Sequence, residues 1–207
     1  QDFDPVVQKA VNRIQSEEET FAAIDAAREA GFKSVSVDLI YGLPFQSAKS
    51  FTRTLERVLE ANPDRLSVFN YAHLPQLFMP QRRINAEDLP SAAEKLDILQ
   101  SVIEHLTGEG YVYVGMDHFA RPTDELVTAQ QQGLLHRNFQ GYSTHADCDM
   151  VAMGVTGISM VDDVYCQNAK DEDSYYAGIE AGDIPIVRGM RLSQDDMIRR
   201  DLITELI

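Results

Sequence analysis

Two cysteines in 207 residues, Cys148 and Cys166, are too few for a disulfide framework and fit a reducing compartment. Long apolar runs are missing as well. No stretch approaches the roughly 18 apolar residues a membrane-spanning helix needs, and no secretory signal is visible. Positive charge is scarce: 18 Lys and Arg stand against 33 Asp and Glu, a formal charge of −15. Phosphate backbones are held by clustered Lys and Arg, so this balance argues against a general nucleic-acid binder. It leaves room for a local basic pocket that takes an acidic small molecule. Fixed repeats, low-complexity tracts and obvious linkers are absent too. What remains is ordinary for a globular protein, in a chain long enough for one sizeable core.

The run at 35–44, VSVDLIYGLP, is the most informative stretch present. It predicts a buried strand with one carboxylate, Asp38, toward its carboxyl end, breaking into a Gly/Pro loop. Ligands of parallel α/β enzymes sit beyond the carboxyl ends of strands, which makes that charge a site candidate. Capping boxes at Ser16/Glu19 and Ser91/Glu94 predict helix starts, and Ser193/Asp196 is box-like. The first helix should turn Phe21, Ile24 and Ala27 inward. Phe51, Leu55, Val58 and Leu59 keep helical period, and Leu96, Leu99, Ile103 and Leu106 are the expected buried stripe of a later helix. Further strands are expected at 66–71 and 111–115, a Gly-rich apolar segment at 151–160 and a short helix near 174–181. Helices alternating with short strands predict a parallel sheet with crossover helices. Residues 76–90, with Gln81, Arg82 and Arg83, read as the longest surface loop. The chain opens on Gln1 rather than Met, and Ile198, Leu202 and Leu206 keep helical period at its other end. It is expected to be a piece of a longer polypeptide.

Several strings together resemble the oxygen-independent coproporphyrinogen III oxidases, radical S-adenosylmethionine (SAM) enzymes of haem biosynthesis. They are QDF at 1–3, VNR at 11–13, DLIYGLP at 38–44, RLSVFNYAHLP at 65–75, GMDHFARP at 115–122, LHRNFQGYST at 135–144 and MGVTGIS at 153–159. DLIYGLP alone is shared with other radical SAM proteins, whereas NYAHLP followed by DHFARP and HRNFQGY is specific. The resemblance implies an α/β fold, the second part of a partial (β/α)6 TIM-like barrel at 1–75. A flanking α/β extension with substrate-side loops would follow at 76–192, and a helical domain would begin at 193–207. It also implies the reaction. SAM is cleaved reductively at a [4Fe–4S] cluster, and the resulting radical takes hydrogen from a propionate. Loss of CO2 then leaves a vinyl group, on two rings, giving protoporphyrinogen IX.

The cluster's CxxxCxxC ligands and the family's Gly-rich SAM segment belong upstream and are not in this chain, so the piece alone is expected to be inactive. By resemblance Gln1, Arg13, Asp38 and Ala72 match positions lining one SAM site, and Ile158 matches a position touching another SAM. Arg13 can fork onto a carboxylate, Asp38 can accept from ribose hydroxyls or an ammonium, and Gln1 can both donate and accept. The plainer alternatives are a surface ion pair for Arg13, a helix cap for Asp38 and a core position for Ile158. The substrate, coproporphyrinogen III, carries four propionates. His118, Arg121, His136 and Arg137 are the candidate partners for them, with ion pairs to the many acidic side chains as the alternative. The two histidines lack metal-like spacing. The intact parent is expected to be a cytoplasmic monomer with no nucleic-acid or membrane partner, and the sequence names no electron donor or acceptor. Two other readings stay open, a haem chaperone of the same superfamily and a non-catalytic α/β interaction module.

Overall fold

The computed structural model describes residues 1–138, 141–146 and 148–206. Phe139 and Gln140 of the HRNFQGYST string lie outside the described residues. The chain falls into two compact units, Gln1–Gly133 and Leu134–Ile207. The boundaries expected from the sequence, after 75 and after 192, differ from this division. Strand pairing explains the difference, because residues 118–120 complete the sheet that the first strands begin.

In the first unit, α1 (Pro5–Ala10) starts at Asp4, whose carboxylate accepts from the Val6 amide, with Pro5 in the first turn. The Ser16/Glu19 box forms in both directions and opens α2 (Glu17–Glu29), where Ile24 is buried. Strand β1 (Ser36–Tyr41) leads through α3 (Ala48–Glu60) to β2 (Arg65–Asn70), which pairs parallel to β1. Short 3-10 turns at Met79–Arg83 and Ala86–Asp88 break up the long surface loop. Then α4 (Ala92–Gly108) opens on the Ser91/Glu94 box. Two short strands, β3 (Val112–Gly115) and β4 (His118–Ala120), precede α5 (Glu125–Gln132), which Asp124 caps and left-handed Gly133 ends.

Strand order is β1-β2-β4-β3, and only the β1/β2 pair is parallel. The wholly parallel sheet expected from the helix–strand alternation is therefore corrected. Gly115 at φ 143 and Met116 at φ 49 turn the chain back at once, so β3 and β4 form a hairpin. The returning β4 then takes the place beside β2.

The core lies on one face of this sheet. Leu39, Tyr41, Leu66, Val68 and Phe119 pack there against Phe51, Leu55 and Val58 of α3 and Ile98, Val102 and Leu106 of α4. Burying each such side chain stabilises the unit by about 1.5–3 kcal/mol. The stripe expected on α4 is off by part of a turn: Leu96 is 66% exposed, and Ile98, Val102 and Leu106 form the buried line. Leu99 and Ile103 pack at its margin.

The second unit holds the hairpin of β5 (His136–Asn138) and β6 (Gly141–Ser143). Beside it runs an antiparallel sheet of β7 (Ile158–Val161), β8 (Val164–Asn168) and β9 (Ile186–Arg191). Helix α6 (Glu172–Glu180) begins at Asp171, and α7 (Gln194–Leu206) begins at the Ser193/Asp196 box. Of the Gly-rich segment, only 158–161 is strand. The buried Asn168 amide donates to the Ala152 and Gly154 carbonyls, and the Ser159 hydroxyl accepts from the Ala152 amide. Side chains thus take the backbone groups a strand would use. Gly157 allows this path, since a Cβ there would lie 3.1 Å from that of Ala152 and 3.2 Å from two carbonyl oxygens.

Hydrogen bonds from the caps hold three carboxylates below their ordinary range. The Ser91 amide and hydroxyl do so for Glu94, the Ser174 amide for Asp171, and the Ser193 hydroxyl and amide for Asp196. A carboxyl depressed in the folded state supports it above the unfolded value, here 4.5 for Glu and 3.8 for Asp, and stops doing so as pH falls through the depressed value. Acidification from about pH 5 to about pH 2 should fray the first turns of α4, α6 and α7, seen as lost amide-exchange protection. Glu94→Gln keeps the box and should remove the α4 part of that response.

Candidate functional site

Alternation along β1 sends Val37, Leu39 and Tyr41 to the core and leaves Ser36, Asp38 and Ile40 on the opposite face. Asp38 therefore sits in the middle of the strand, not near its carboxyl end as expected, and it is exposed. Its register partner is Ser67 on β2, and Ser67 pairs in turn with His118 on β4. Paired residues share a face, so Asp38, Ser67 and His118 form one row across the sheet, with Phe69 edge-on to the His118 ring at 5.9 Å.

Gln1 lies along the other edge of β1. The Ile40 amide donates to the Gln1 carbonyl at 3.0 Å, and the Gln1 amine donates to the Asp38 carbonyl at 3.3 Å, a strand-like pairing. A buried network fixes it there. The Asp2 carboxylate, 4% exposed, accepts from the Asp4 amide, the Thr54 hydroxyl and the Gln46 side-chain amide. Gln46 also donates to the Ile40 carbonyl and accepts from the Leu43 amide, so the Gly/Pro loop after β1 joins the same network.

Arg13 is presented by a second buried glutamine. Gln8 donates to the Asp2 and Gln15 carbonyls and accepts from the Gln15 amide, closing a turn that holds Asn12 at φ 53. The Arg13 amide donates to the Gln8 carbonyl at 2.9 Å, and the side chain stays exposed. Gln1, Arg13 and Asp38 together line one cleft of about 360 Å³, with Gln15, Thr20 and Ser36 beside them. The Arg13 guanidinium and the Asp38 carboxylate both face this cleft. Both signs of charge meet at this point. A guanidinium for a carboxylate, a carboxylate for an ammonium or ribose hydroxyl, and an amide between them are a donor set that fits SAM.

Ala72 lies at the carboxyl end of β2, outside the lining of that cleft. Its carbonyl accepts from the Gln81 side chain at 3.1 Å, and the Leu74 amide donates back to Gln81. The Lys95 amine donates to the neighbouring Tyr71 carbonyl at 3.1 Å. Lys95 crosses so close to Gly42 that a Cβ there would meet its Cε at 2.8 Å, and Gly42 sits at φ 83. Gln8, Gln46 and Lys95 were not singled out from the sequence, and Gln81 was named only as part of a surface loop, because glutamines in irregular segments and a lysine within a helix have no spacing signature.

Arg121, expected as a partner for a substrate carboxylate, is engaged within the first unit. Its guanidinium donates to the Glu109 carbonyl at 3.2 Å and to the Asn62 side chain, and lies 4.1 Å from the Tyr111 ring centroid. These partners sit where β2 begins, at the end of the strand away from Ala72, so Arg121 ties loops together.

In the second unit, His136 and Arg137 line a cleft of about 920 Å³ together with Cys148, Tyr165, Arg199 and Arg200. The Arg137 guanidinium lies 5.9 Å from the Tyr142 ring centroid. Ile158 is half-buried on β7, opposite Gln167. Among the described residues no three His, Cys, Asp or Glu side chains gather into a metal-binding group, and Cys148 and Cys166 are free thiols. These residues do not fit a [4Fe–4S] cluster, which is held by several cysteine thiolates. Among the described residues no helix is long and apolar enough to cross a membrane.

No family model matches the chain. Curated relatives match all of it. The oxygen-independent coproporphyrinogen III oxidase of Pseudomonas aeruginosa is 55% identical over 207 residues, covering 45% of that protein. The Escherichia coli protein of the same name is 56% identical, again over 45% of its length. That of Thermostichus vulcanus is 50% identical over 64% of its length. A solved structure of the Escherichia coli coproporphyrinogen III oxidase, a radical SAM enzyme, matches with a TM-score of 0.91 and 56% identity, over all of this chain and 48% of that one. The chain thus spans a little under half the length of the first relatives it matches. The resemblance carried by the sequence strings extends along the whole chain, which is similar to a part of the oxygen-independent coproporphyrinogen III oxidases.

Proposed function

We propose that this chain is the part of an oxygen-independent coproporphyrinogen III oxidase that forms one wall of the SAM pocket and helps to seat the substrate. The convergence of Gln1, Arg13 and Asp38 on one cleft carries the reading. Three residues named from separate sequence strings share a cavity with the donor set that SAM needs. The parallel β1/β2 pair joined by α3 supports the finer assignment to a partial (β/α)6 barrel, with Asp38, Ser67 and His118 on its inner face.

SAM, when bound in the intact enzyme, would supply the radical that removes hydrogen from a propionate; CO2 and one electron, the latter to an external acceptor, would then leave to give the vinyl group. The residues of this chain orient and hold. Arg13 forks onto the SAM carboxylate, Asp38 accepts from its ammonium or ribose, and Gln1 bridges the two. Gln81 and Lys95 hold the backbone at Tyr71 and Ala72, and Ile158 gives an apolar wall to a second SAM. His118, His136 and Arg137 supply cationic or hydrogen-bonding partners for the propionates. Cluster ligands come from outside this chain, on the pattern of the family.

The intact protein, expressed without oxygen, should form vinyl groups from coproporphyrinogen III only when SAM is added. Product absent under those conditions, with SAM, a reductant and an artificial electron acceptor present, would retire the oxidase reading. Tight haem binding in its place would favour the chaperone.

A further inference from the structure

Residues 77–83 lie beside the carboxyl end of β2, and the cofactor cleft does not use them. Leu77, Phe78 and Met79 are consecutive and exposed, at 69%, 53% and 71%. Such an apolar cluster in water marks a binding surface more often than scattered residues do. Arg82 and Arg83 follow on the same 3-10 turn, where residues three apart eclipse, so Met79 and Arg82 share a face. The Arg82 Nε donates to the Pro75 carbonyl at 3.0 Å, which leaves its two terminal nitrogens. Arg83 is exposed and has no ion-pair or hydrogen-bond partner among the described residues. In a chain of 33 acidic and 18 basic side chains, neighbouring arginines without a carboxylate partner are a specific anion signal. Gln81 ties this segment to Ala72 and Leu74, which makes the patch continuous with the strand end where ligands of such sheets sit.

We infer that residues 77–83 dock an apolar macrocycle carrying several carboxylates. Resting on the function proposed above, that molecule is the macrocycle of coproporphyrinogen III. Its pyrrole rings lie against Phe78 and Met79, and propionates fork onto Arg82 and Arg83. Charge sorts the substrate here, and the apolar shelf holds the ring system whatever its side chains.

Fluorescence titration of the intact protein with coproporphyrin III, the stable tetracarboxylate, and with its tetramethyl ester tests the assignment. Arg82→Gln with Arg83→Gln should weaken the acid about tenfold or more and leave the ester and SAM unchanged. Reversing both charges with Arg82→Glu and Arg83→Glu should weaken the acid further. Phe78→Ser with Met79→Ser should weaken acid and ester alike. Unchanged acid affinity in the charge variants overturns the inference, while the oxidase reading stands on vinyl formation. Equal weakening of acid, ester and SAM also overturns it, since that would report a disturbed strand end. A wild-type protein that neither binds the acid nor forms vinyl groups removes the function and this docking surface together.

Discussion

Replacing Arg13 with Ala in the intact protein should weaken SAM binding by about 10- to 100-fold, the loss expected for one charge-assisted fork. The fold should survive. Arg13 is exposed, and its turn is closed by Gln8 and the backbone, not by the guanidinium. Equilibrium binding of SAM, measured beside thermal unfolding, separates the two contributions. Arg13→Lys should recover only part of the affinity, because an ammonium supplies charge without the planar pair of donors. Wild-type SAM affinity in Arg13→Ala would remove this residue from the site and leave Gln1 and Asp38 without a partner for the carboxylate.

The second large effect concerns stability. Asp124→Ala should destabilise the first unit by about 3–5 kcal/mol, because it strands a partly buried cation. The Asp124 side chain is 4% exposed and accepts from Arg65 Nε at 2.8 Å, from the Ser34 hydroxyl at 3.2 Å and from the Leu126 amide at 2.9 Å. One carboxylate thus caps α5, pairs the first residue of β2 and ties down the segment before β1. Burial pulls the Arg65 pKa down, and the hydrogen bonds it donates to Asp124 and then Glu125 outweigh that, so the guanidinium stays charged. With Asp124 gone, only Glu125, itself 65% exposed, remains to Arg65. Arg65→Met combined with Asp124→Ala should lose less than the two single changes added together, since no unpaired charge is left. Urea unfolding of the set gives the coupling. A loss below about 1 kcal/mol for Asp124→Ala would show that water replaces the carboxylate without difficulty.

What the sequence made legible followed from local rules. The boxes at Ser16 and Ser91 need only a hydroxyl and a carboxylate three residues apart, and both form. Strand β1 was visible because its alternation and the Gly/Pro break are both local signals. The β3/β4 hairpin was not, since Met116 at a left-handed φ is a poor turn residue by type and betrays nothing. The tilt of α4 was lost for a related reason: Leu96 and Ile98 are equally apolar, and only packing against α3 decides between them. Among the candidate residues, Arg13 and Asp38 came from family strings and line one cleft, whereas Arg121 of the equally specific DHFARP string contacts Asn62, Glu109 and Tyr111. A motif marks which positions matter and does not say whether the reason is binding or architecture. The buried glutamines that shape the cleft, Gln8 and Gln46, carried no signal, since their roles depend on chain segments brought together only by folding.

Gln81 gives the segment 72–81 a neck. Its amide reaches back nine positions to Ala72 and seven to Leu74, so the excursion is pinched shut at its base by one side chain. Closure entropy grows slowly with length, so residues can be added or exchanged at the tip with little strain on that clasp. Two selective pressures are thereby uncoupled. Changes at Phe78 or Met79 can alter what the shelf holds while the strand end beneath it keeps its geometry.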